Sequence, residues 1–546
     1  MSDIDIDLTD LEGDRIDRRT TLKLFSAAGM TGALAGCADD DVDPEQAGET
    51  GTDDGNGAEG SGTLRIGELF GEVTTLDHHR CSNSICYRTA AYMLDGLVDV
   101  DTNLEVHGVI AEDWEVPDDN TVIFNLREGV EWHNGDPFTA EDMVYSFERL
   151  YDDDFPGLYT DELSAVSDVV AEDDHTVRYD LERPYAPLFI YLTPQGRAGL
   201  PVNRTVAEEH GQTNYCDSVE AAAGNGPFEL VDWVPRQRLT FEANENYWGD
   251  APAVDTVEVH LIEDENALVN ALISDEVDIA PEVPSTQLAV LENEDDVDVQ
   301  TELTGNYHYI AFNLDQEPFD DQRVRRAIAM AIDRERIVED VFQGYAVPNG
   351  YPMSPAFDWA YPGEPGEGGQ QYDPEAARDL LAEAGYPDGF EVTMRVTTDS
   401  PWRSIGEWLA QELREELNLD LDVELLEWAT FREYTASPPF EFEMFNLQWV
   451  GDIDPDQHVR MFHSESAVNR QYMDNPAVDE LIDAQRAELD EAARGEVIRD
   501  LMEELAEYAN YATFATQERA YAVREGVNGF IAHPAMYINV DDITLS

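Results

Sequence analysis

Lysine is all but missing from this chain: Lys23 is the one lysine in 546 residues. Basic residues of both kinds number 32 against 118 Asp and Glu, a formal charge of -86. No basic patch is left for nucleic acid or an anionic membrane surface, so neither is an expected partner. The acids are spread along the whole chain, which argues against a single basic partner. Such a surface repels itself in dilute buffer, whereas at molar salt the Debye length falls to about 3 Å and the repulsion is screened. The composition is that of a protein of an extreme halophile. No apolar run approaches the roughly 20 residues of a membrane-spanning helix. A repeat of 20–50 residues is missing too, against a solenoid or propeller. There is no Gly-x-Ser-x-Gly elbow and no His-Glu-x-x-His helix, and the carboxylates are too many to single out a catalytic pair. An extracellular hydrolase is therefore the disfavoured class, and no cofactor is expected.

What is present begins with an address. Arg18-Arg19 precedes an apolar run from Leu24 to Leu34, and Leu34-Ala35-Gly36-Cys37 places small residues before a cysteine. This is the layout of a twin-arginine secretion signal (1–37) ending in a lipobox, with Cys37 as the lipidated residue. The mature chain is expected outside the cell, anchored to the membrane by lipid. Residues 38–62 are Asp, Glu, Gly, Thr and Ser with almost nothing apolar, a disordered acidic tether with a span of roughly 25–30 Å. The remainder, in a chain that is 42% hydrophobic and 10% aromatic, is expected to fold.

Four cysteines occur, and with Cys37 lipidated the other three are Cys81, Cys86 and Cys216. One bridge and one free thiol is the simplest outcome outside the cell, and the spacing does not choose the pair. A metal site on Cys81, Cys86, His78 and His79 lacks any Cys-x-x-Cys pair or second ligand cluster.

Beyond the tether, strand and helix signals alternate, giving an α/β architecture of more than one lobe. Thr63-Leu64-Arg65-Ile66-Gly67 and Thr121-Val122-Ile123-Phe124-Asn125-Leu126 read as strands. Thr139 caps a helix with Asp142 at the capping-box position, and Asp321, Asp373-Pro374 and Asn475-Pro476 open three more. Gly385 stops the helix after Pro374. Tyr307 to Asn313 reads as a strand with Tyr307 and Tyr309 opposite His308, Ile310 and Phe312, one of these faces being core.

Several stretches carry a resemblance. Trp132-His133-Asn134-Gly135-Asp136-Pro137-Phe138 is followed by Ala140-Glu141-Asp142-Met143-Val144-Tyr145-Ser146-Phe147-Glu148. Gly224-Asn225-Gly226-Pro227-Phe228 comes with Asn246-Tyr247-Trp248-Gly249. Phe312-Asn313 leads to Val324-Arg325-Arg326-Ala327-Ile328-Ala329-Met330-Ala331-Ile332-Asp333. Tyr372-Asp373-Pro374 leads to Leu380-Leu381-Ala382-Glu383-Ala384-Gly385-Tyr386. Together they resemble the extracellular solute-binding proteins of peptide ABC importers, family five. The resemblance implies a periplasmic-binding-protein-like type II fold (cluster C) with three lobes. Lobe I takes residues 63–100, 224–304 and 516–546, lobe II 101–223 and lobe III 305–515. Ligand lies between lobes I and III. The implied role is a monomeric receptor that closes on a di- or oligopeptide and docks on the ABC permease subunits. An oligosaccharide or a nickel chelate is the alternative cargo, for which His78, His79, His133 or His308 are the residues to consider.

The same resemblance implies the best site candidate, Asp452 in Trp449-Val450-Gly451-Asp452, as the carboxylate that pairs with a peptide's α-ammonium. Asp454 and Asp456 read as turn residues on an acidic surface. Tyr307, Trp428 and Trp449 are candidate walls of the cleft. Glu68, just after the first strand, is a loop position that can face the cleft, with a solvated acid as the competing account. Where similar dipeptide binders place an arginine for the ligand carboxylate, this chain has Ser400, with Arg403 three residues on. The departure weighs against a free dipeptide.

Overall fold

The computed structural model describes residues 62–81, 83–398, 401–436, 439–449, 453–466 and 468–546. The signal, Cys37, the tether up to Ser61 and Asp452 lie outside the described residues. Among the described residues, no helix is long and apolar enough to cross a membrane.

Among the described residues, twelve strands join in one sheet. They are β1 (Thr63–Glu68), β2 (Phe228–Val234), β3 (Arg238–Ala243), β4 (Thr256–Leu261), β5 (Ile279–Ala280), β6 (Val297–Leu303), β7 (Tyr307–Phe312), β8 (Ala346–Pro348), β9 (Glu391–Thr397), β10 (Asp420–Leu426), β11 (Met444–Trp449) and β12 (Tyr511–Arg524). Their order is β10-β9-β11-β7-β12-β5-β1-β4-β3-β2, with β6 and β8 also pairing with β12. β12 is shared. Its first residues pair with β7 through Ala515, and from Glu518 onward it pairs with β6 and then β5. Burial follows the same division, since Gln517 and Glu518 alone interrupt an otherwise buried run from Tyr511 to Val523.

Helices begin where a side chain satisfies their first N–H groups. Asn83 accepts from Cys86 N–H and opens α1 (Ser84–Ala90). The Asp142 carboxylate accepts Thr139 N–H at 2.8 Å, the return half of a capping box, at the start of α2 (Ala140–Leu150). Asp321 opens α3 (Gln322–Met330), and Asp373, with proline in the first turn, opens α4 (Pro374–Glu383). α5 (Trp402–Leu417) follows β9 and α6 (Trp428–Ala436) follows β10. Asn475 caps α7 (Pro476–Ala487) and Asp490 caps α8 (Glu491–Tyr508).

β7 is buried at all six positions, so both of its faces are core rather than one. Ile310 and Phe312 join a cluster with α3, α4 and α5, while Tyr307, Tyr309 and Ala311 join another with α7 and α8. Period-two alternation separates the two faces of a strand and says nothing of how many layers flank it.

A four-stranded antiparallel sheet, Ala111–Asp118, Thr121–Leu126, Val166–Asp173 and Thr176–Leu181, stands apart from the twelve. Val122, Phe124 and Leu126 bury the face against which α2 packs. The chain leaves for this sheet and returns from it along adjacent passages. Asn225 and Gly226 N–H both donate to the Met93 carbonyl at 3.1 Å, and Asn225 Oδ1 accepts Asp95 N–H at 2.9 Å. A Cβ on Gly224 would stand 1.7 Å from the Met93 oxygen. Gly224→Ala should therefore pry the passages apart and lower stability by about 1–3 kcal/mol or more. The readout is the guanidinium midpoint at fixed molar salt; an unmoved midpoint would mean the passages separate freely.

Cys81 and Cys86 form the disulfide, with Cα atoms 5.7 Å apart, and Cys216 is a buried free thiol. His78 and His79 beside them are buried, their Nε2 atoms bonded to the carbonyls of Leu200 and Ala198. No group of three metal-ligating side chains occurs among the described residues.

Candidate functional site

Strand direction locates the crevice. β1, β4 and β5 run parallel, and so do β9, β10 and β11. β7 is antiparallel to both β11 and β12, so β12 runs the same way as β11 and carries it toward the crossing at Gln517 and Glu518. β5 is antiparallel to β12 and points back toward that crossing; Val283 N–H reaches the Ala520 carbonyl at 3.0 Å. Both sets of carboxyl ends thus point at the same stretch of β12. In open α/β sheets the crevice outside the carboxyl ends is where ligands sit.

On the β11 side, Trp449 ends its strand directly opposite Tyr307 of β7. Tyr307 is fully buried, its ring centroid 5.2 Å from that of buried His458, and Trp449 is partly buried, 6.5 Å from the same imidazole. Trp428 begins α6 just past the end of β10; it is half exposed and stacks on buried Phe431 with centroids 5.9 Å apart. Asp452 falls outside the described residues, but Ile453 is buried in a cluster with Val100, Ile190, Ala535 and Tyr537. The stretch after β11 therefore ends where three separate parts of the chain meet.

On the β1 side, Glu68 is the last residue of its strand and has no exposed surface. It is neither a loop residue nor a solvated acid. Arg88 of α1, equally buried, donates to both of its carboxylate oxygens at 2.8 and 2.5 Å. Glu282 continues the series, 4.0 Å from Arg88 and 3.3 Å from Arg519 of β12. Acid and base alternate along this edge, which sequence reasoning missed beyond Glu68. Local spacing could not reveal it, because the partners come from α1, β12 and the turn after β5.

Arg403 lies on an exposed turn of α5, paired with Glu407 at 2.9 Å one turn on. The structure does not bring it to Trp449 or Tyr307.

Asp454 and Asp456 correct their assignment as surface turn residues. Both are buried. Asp454 opens the short helix Pro455–Val459 and takes both Arg494 nitrogens of α8, at 2.7 and 2.6 Å. Asp456 accepts from Tyr191 Oη at 2.8 Å, Gln485 Nε2 at 2.6 Å and Arg486 Nε at 2.6 Å. Burial alone would raise its pKa, and the Arg486 guanidinium brings it below the ordinary carboxylate value. Nearby, buried Glu162 faces Arg460 at 3.1 Å, and Ala186 N–H donates to the Arg486 carbonyl at 2.8 Å. These contacts fasten the 159–191 region to the 453–494 region. The signal available in sequence was Asp454-Pro455-Asp456-Gln457, a capping box with proline at the first turn.

A further cavity lies elsewhere. About 700 Å³ in volume, it opens past the end of β7 and is lined by Asp315, Asp422, Glu424, Glu441 and Glu443 with Arg395. That is the opposite end of β7 from Tyr307.

With the geometry in place, the comparisons are specific. The family described as "Bacterial extracellular solute-binding proteins, family 5 Middle" matches residues 105–470. The chain is 28% identical over 539 residues to the dipeptide-binding protein DppE of Bacillus subtilis (strain 168), covering 94% of this chain and 97% of that one. Among solved structures it resembles a dipeptide-binding protein from Pseudoalteromonas sp. SM9913 in complex with Met-Leu, with a TM-score of 0.78 at 23% identity, over 89% of this chain and 100% of that one. It also resembles the oligopeptide-binding protein AppA of Bacillus subtilis in complex with a nonapeptide, with a TM-score of 0.78 at 23% identity, over 90% and 100% of the two chains. Likeness at that identity speaks for the fold.

Proposed function

The chain belongs to family 5 of the bacterial extracellular solute-binding proteins and has their periplasmic-binding-protein-like type II fold, and from that premise we propose that it is the peptide receptor of an ABC importer. It takes a short peptide into the crevice at the middle of β12 and hands it to permease subunits in the membrane. The observation that carries this reading is the convergence of both sets of carboxyl ends on one stretch of β12, with Tyr307 and Trp449 at that edge. The near full-length likeness to a dipeptide-binding protein supports a peptide as cargo. Lobe I comprises 63–100, 224–304 and 516–546, lobe II 101–223 and lobe III 305–515. The adjacent passages near Met93 and Gly226 and the partly buried step at Gln517 and Glu518 support these divisions.

Asp452 is the carboxylate for the peptide amine. The role rests on its place in Trp449-Val450-Gly451-Asp452, between a strand end at the crevice and buried Ile453. In a closed cleft such a charge pair is strengthened by the loss of water. Twin-arginine export, lipidation of Cys37, an acidic tether, a monomeric state and a halophilic setting complete the proposal, carried by the order of motifs and the charge of -86.

The test is a thermal-shift screen at molar salt against di- and oligopeptides, oligosaccharides and nickel chelates. For the cognate class, stabilisation should grow with the logarithm of ligand excess, reaching about 2.7 kcal/mol at a hundred times Kd. Asp452→Asn should abolish the peptide response. A shift with sugars or chelates and none with peptides would refute the cargo; an undiminished peptide shift in the variant would remove Asp452 from the site.

A further inference from the structure

Two lengths of chain pass between the halves of the sheet. β6 ends at Leu303 opposite Glu518 of β12, whereas β7 starts at Tyr307 and pairs with β12 through Ala515. One crossing is therefore Thr304, Gly305 and Asn306, all buried and outside any strand; the other is Thr516 and Gln517 of β12. The second is braced by main chain, because Val347 and Ala346 of β8 pair with it. The first is braced by side chains. Ser354 Oγ donates to the Thr304 carbonyl at 2.6 Å and His458 Nε2 to the Gly305 carbonyl at 2.8 Å. A buried carbonyl outside a ladder needs such a donor. Since a carbonyl only accepts, the imidazole carries its proton on Nε2, and burial, which lowers its pKa to about 3, keeps it uncharged at neutral pH.

His458 differs from Ser354 in its other contacts. Its ring centroid lies 5.2 Å from those of Tyr307 and Phe357 and 6.5 Å from that of Trp449, so the donor to the crossing also packs against the aromatic edge of the crevice. It belongs to the short helix Pro455–Val459, which is clamped on every side. Gln457 Oε1 accepts Ile453 and Asp454 N–H at 3.0 and 3.2 Å, Asp454 pairs with Arg494, and Asp456 holds Arg486 and Tyr191. Ile453, at its head, packs with Val100 and Ala535, which the proposed divisions give to lobe I. Lobes I and III are thus in contact in this arrangement, and the helix beside that contact also holds the crossing between them. A rigid turn bonded to the crossing and packed on the crevice wall links the two: rotation at Gly305 must break the His458 bond or carry the wall with it.

We propose that His458 is the positioning residue for closure of the receptor: its bond to the Gly305 carbonyl is made in the closed arrangement and lost in the open one, so that a peptide packed against Tyr307 and Trp449 is retained by the hinge itself. The proposal rests on the peptide-receptor reading and goes beyond it by naming the residue that ties cargo to hinge. A bond present in only one of two states shifts the population toward that state by the factor it contributes. For a neutral hydrogen bond whose acceptor is left buried and unpaired by its loss, that factor is about tenfold. It falls on escape rather than on capture, because the peptide enters the open form, which lacks the bond.

The peptide with the largest thermal shift at molar salt is followed by stopped-flow tryptophan fluorescence in the wild type, His458→Phe and His458→Gln. Phe keeps a ring beside Tyr307 and Trp449 but has no N–H, and Gln keeps an N–H donor without the ring. His458→Phe should raise the dissociation rate about tenfold and leave the association rate unchanged, and His458→Gln should recover most of that loss. A purely structural role would lower the guanidinium midpoint of both variants and leave the rates of the folded receptor alone. Where His458→Phe does not fold, isotope-labelled histidine in the wild type decides by magnetic resonance: the His458 Nε2–H should exchange with solvent about tenfold faster without the peptide than with it. An unchanged dissociation rate in His458→Phe, a failure of His458→Gln to recover it, or equal exchange in the free and bound wild type overturns the proposal and leaves the receptor reading standing. A wild type that no peptide stabilises overturns both.

Discussion

Asp456→Ala should cost about 3–5 kcal/mol of stability, the usual penalty for removing one partner of a buried ion pair. The carboxylate is wholly buried and accepts from three side chains, so its loss strands the Arg486 guanidinium, the Gln485 amide and the Tyr191 hydroxyl together. Tyr191 belongs to the segment after the four-stranded sheet, whereas Gln485 and Arg486 end α7, so the node holds two regions of the chain to each other. The check is the guanidinium midpoint at constant molar salt, with Arg486→Met and the double variant completing a cycle. Coupling should be strong, and the double variant should recover part of the loss, since a desolvated pair can be replaced by apolar groups at little net cost. A shift below about 1 kcal/mol for Asp456→Ala would mean that water reaches the node.

The elements that were legible in the sequence are those fixed by neighbours in the chain. Thr139 with Asp142, Asp373 with Pro374 and Asn475 with Pro476 open helices because a cap needs only residues within one turn. Thr121–Leu126 announced its buried face by alternation. The site was less legible, for two reasons. Its acid and base partners are distant in sequence: Glu68 meets Arg88 20 residues away, and Asp456 meets Tyr191 265 residues away. The acidity of the chain also hides the carboxylates that matter, which is why Asp454 and Asp456 looked like solvated turn residues. Arginine is the more informative type here, because it is scarce; those not paired along a helix, such as Arg88, Arg486 and Arg494, mark the buried nodes.

The buried histidines should each withdraw stability as pH drops from about 6.5 toward 4. Five histidines, His78, His79, His308, His458 and His533, are buried. Burial is the main cause that lowers each of them, His78, His308 and His458 to about 3, His533 to about 4 and His79 well below its ordinary value. A folded-state pKa depressed below the unfolded value means that the unfolded chain binds the proton first. The stabilisation is therefore whole above the unfolded pKa of about 6.5 and is lost as pH falls toward the folded value. Asp95, Asp99 and Asp541 work in the opposite sense, burial raising them to about 7, 6 and 6, so that the folded form holds their protons between pH 4 and 6. His133, lowered to about 4 by burial, joins the histidines, while Asp77, Asp142, Glu162, Glu229 and Glu412 are raised by burial and join the opposing carboxylates, so the two sets offset each other and the histidine share is read from single variants. Guanidinium midpoints at pH 7.5, 6.5, 5.5 and 4.5 in constant molar salt give the slope directly. His308→Leu should flatten it by about one proton even though the variant packs an apolar side chain against Phe342 and Phe514. A slope left unchanged by His308→Leu would mean that water enters the histidine site and that burial does not govern its proton.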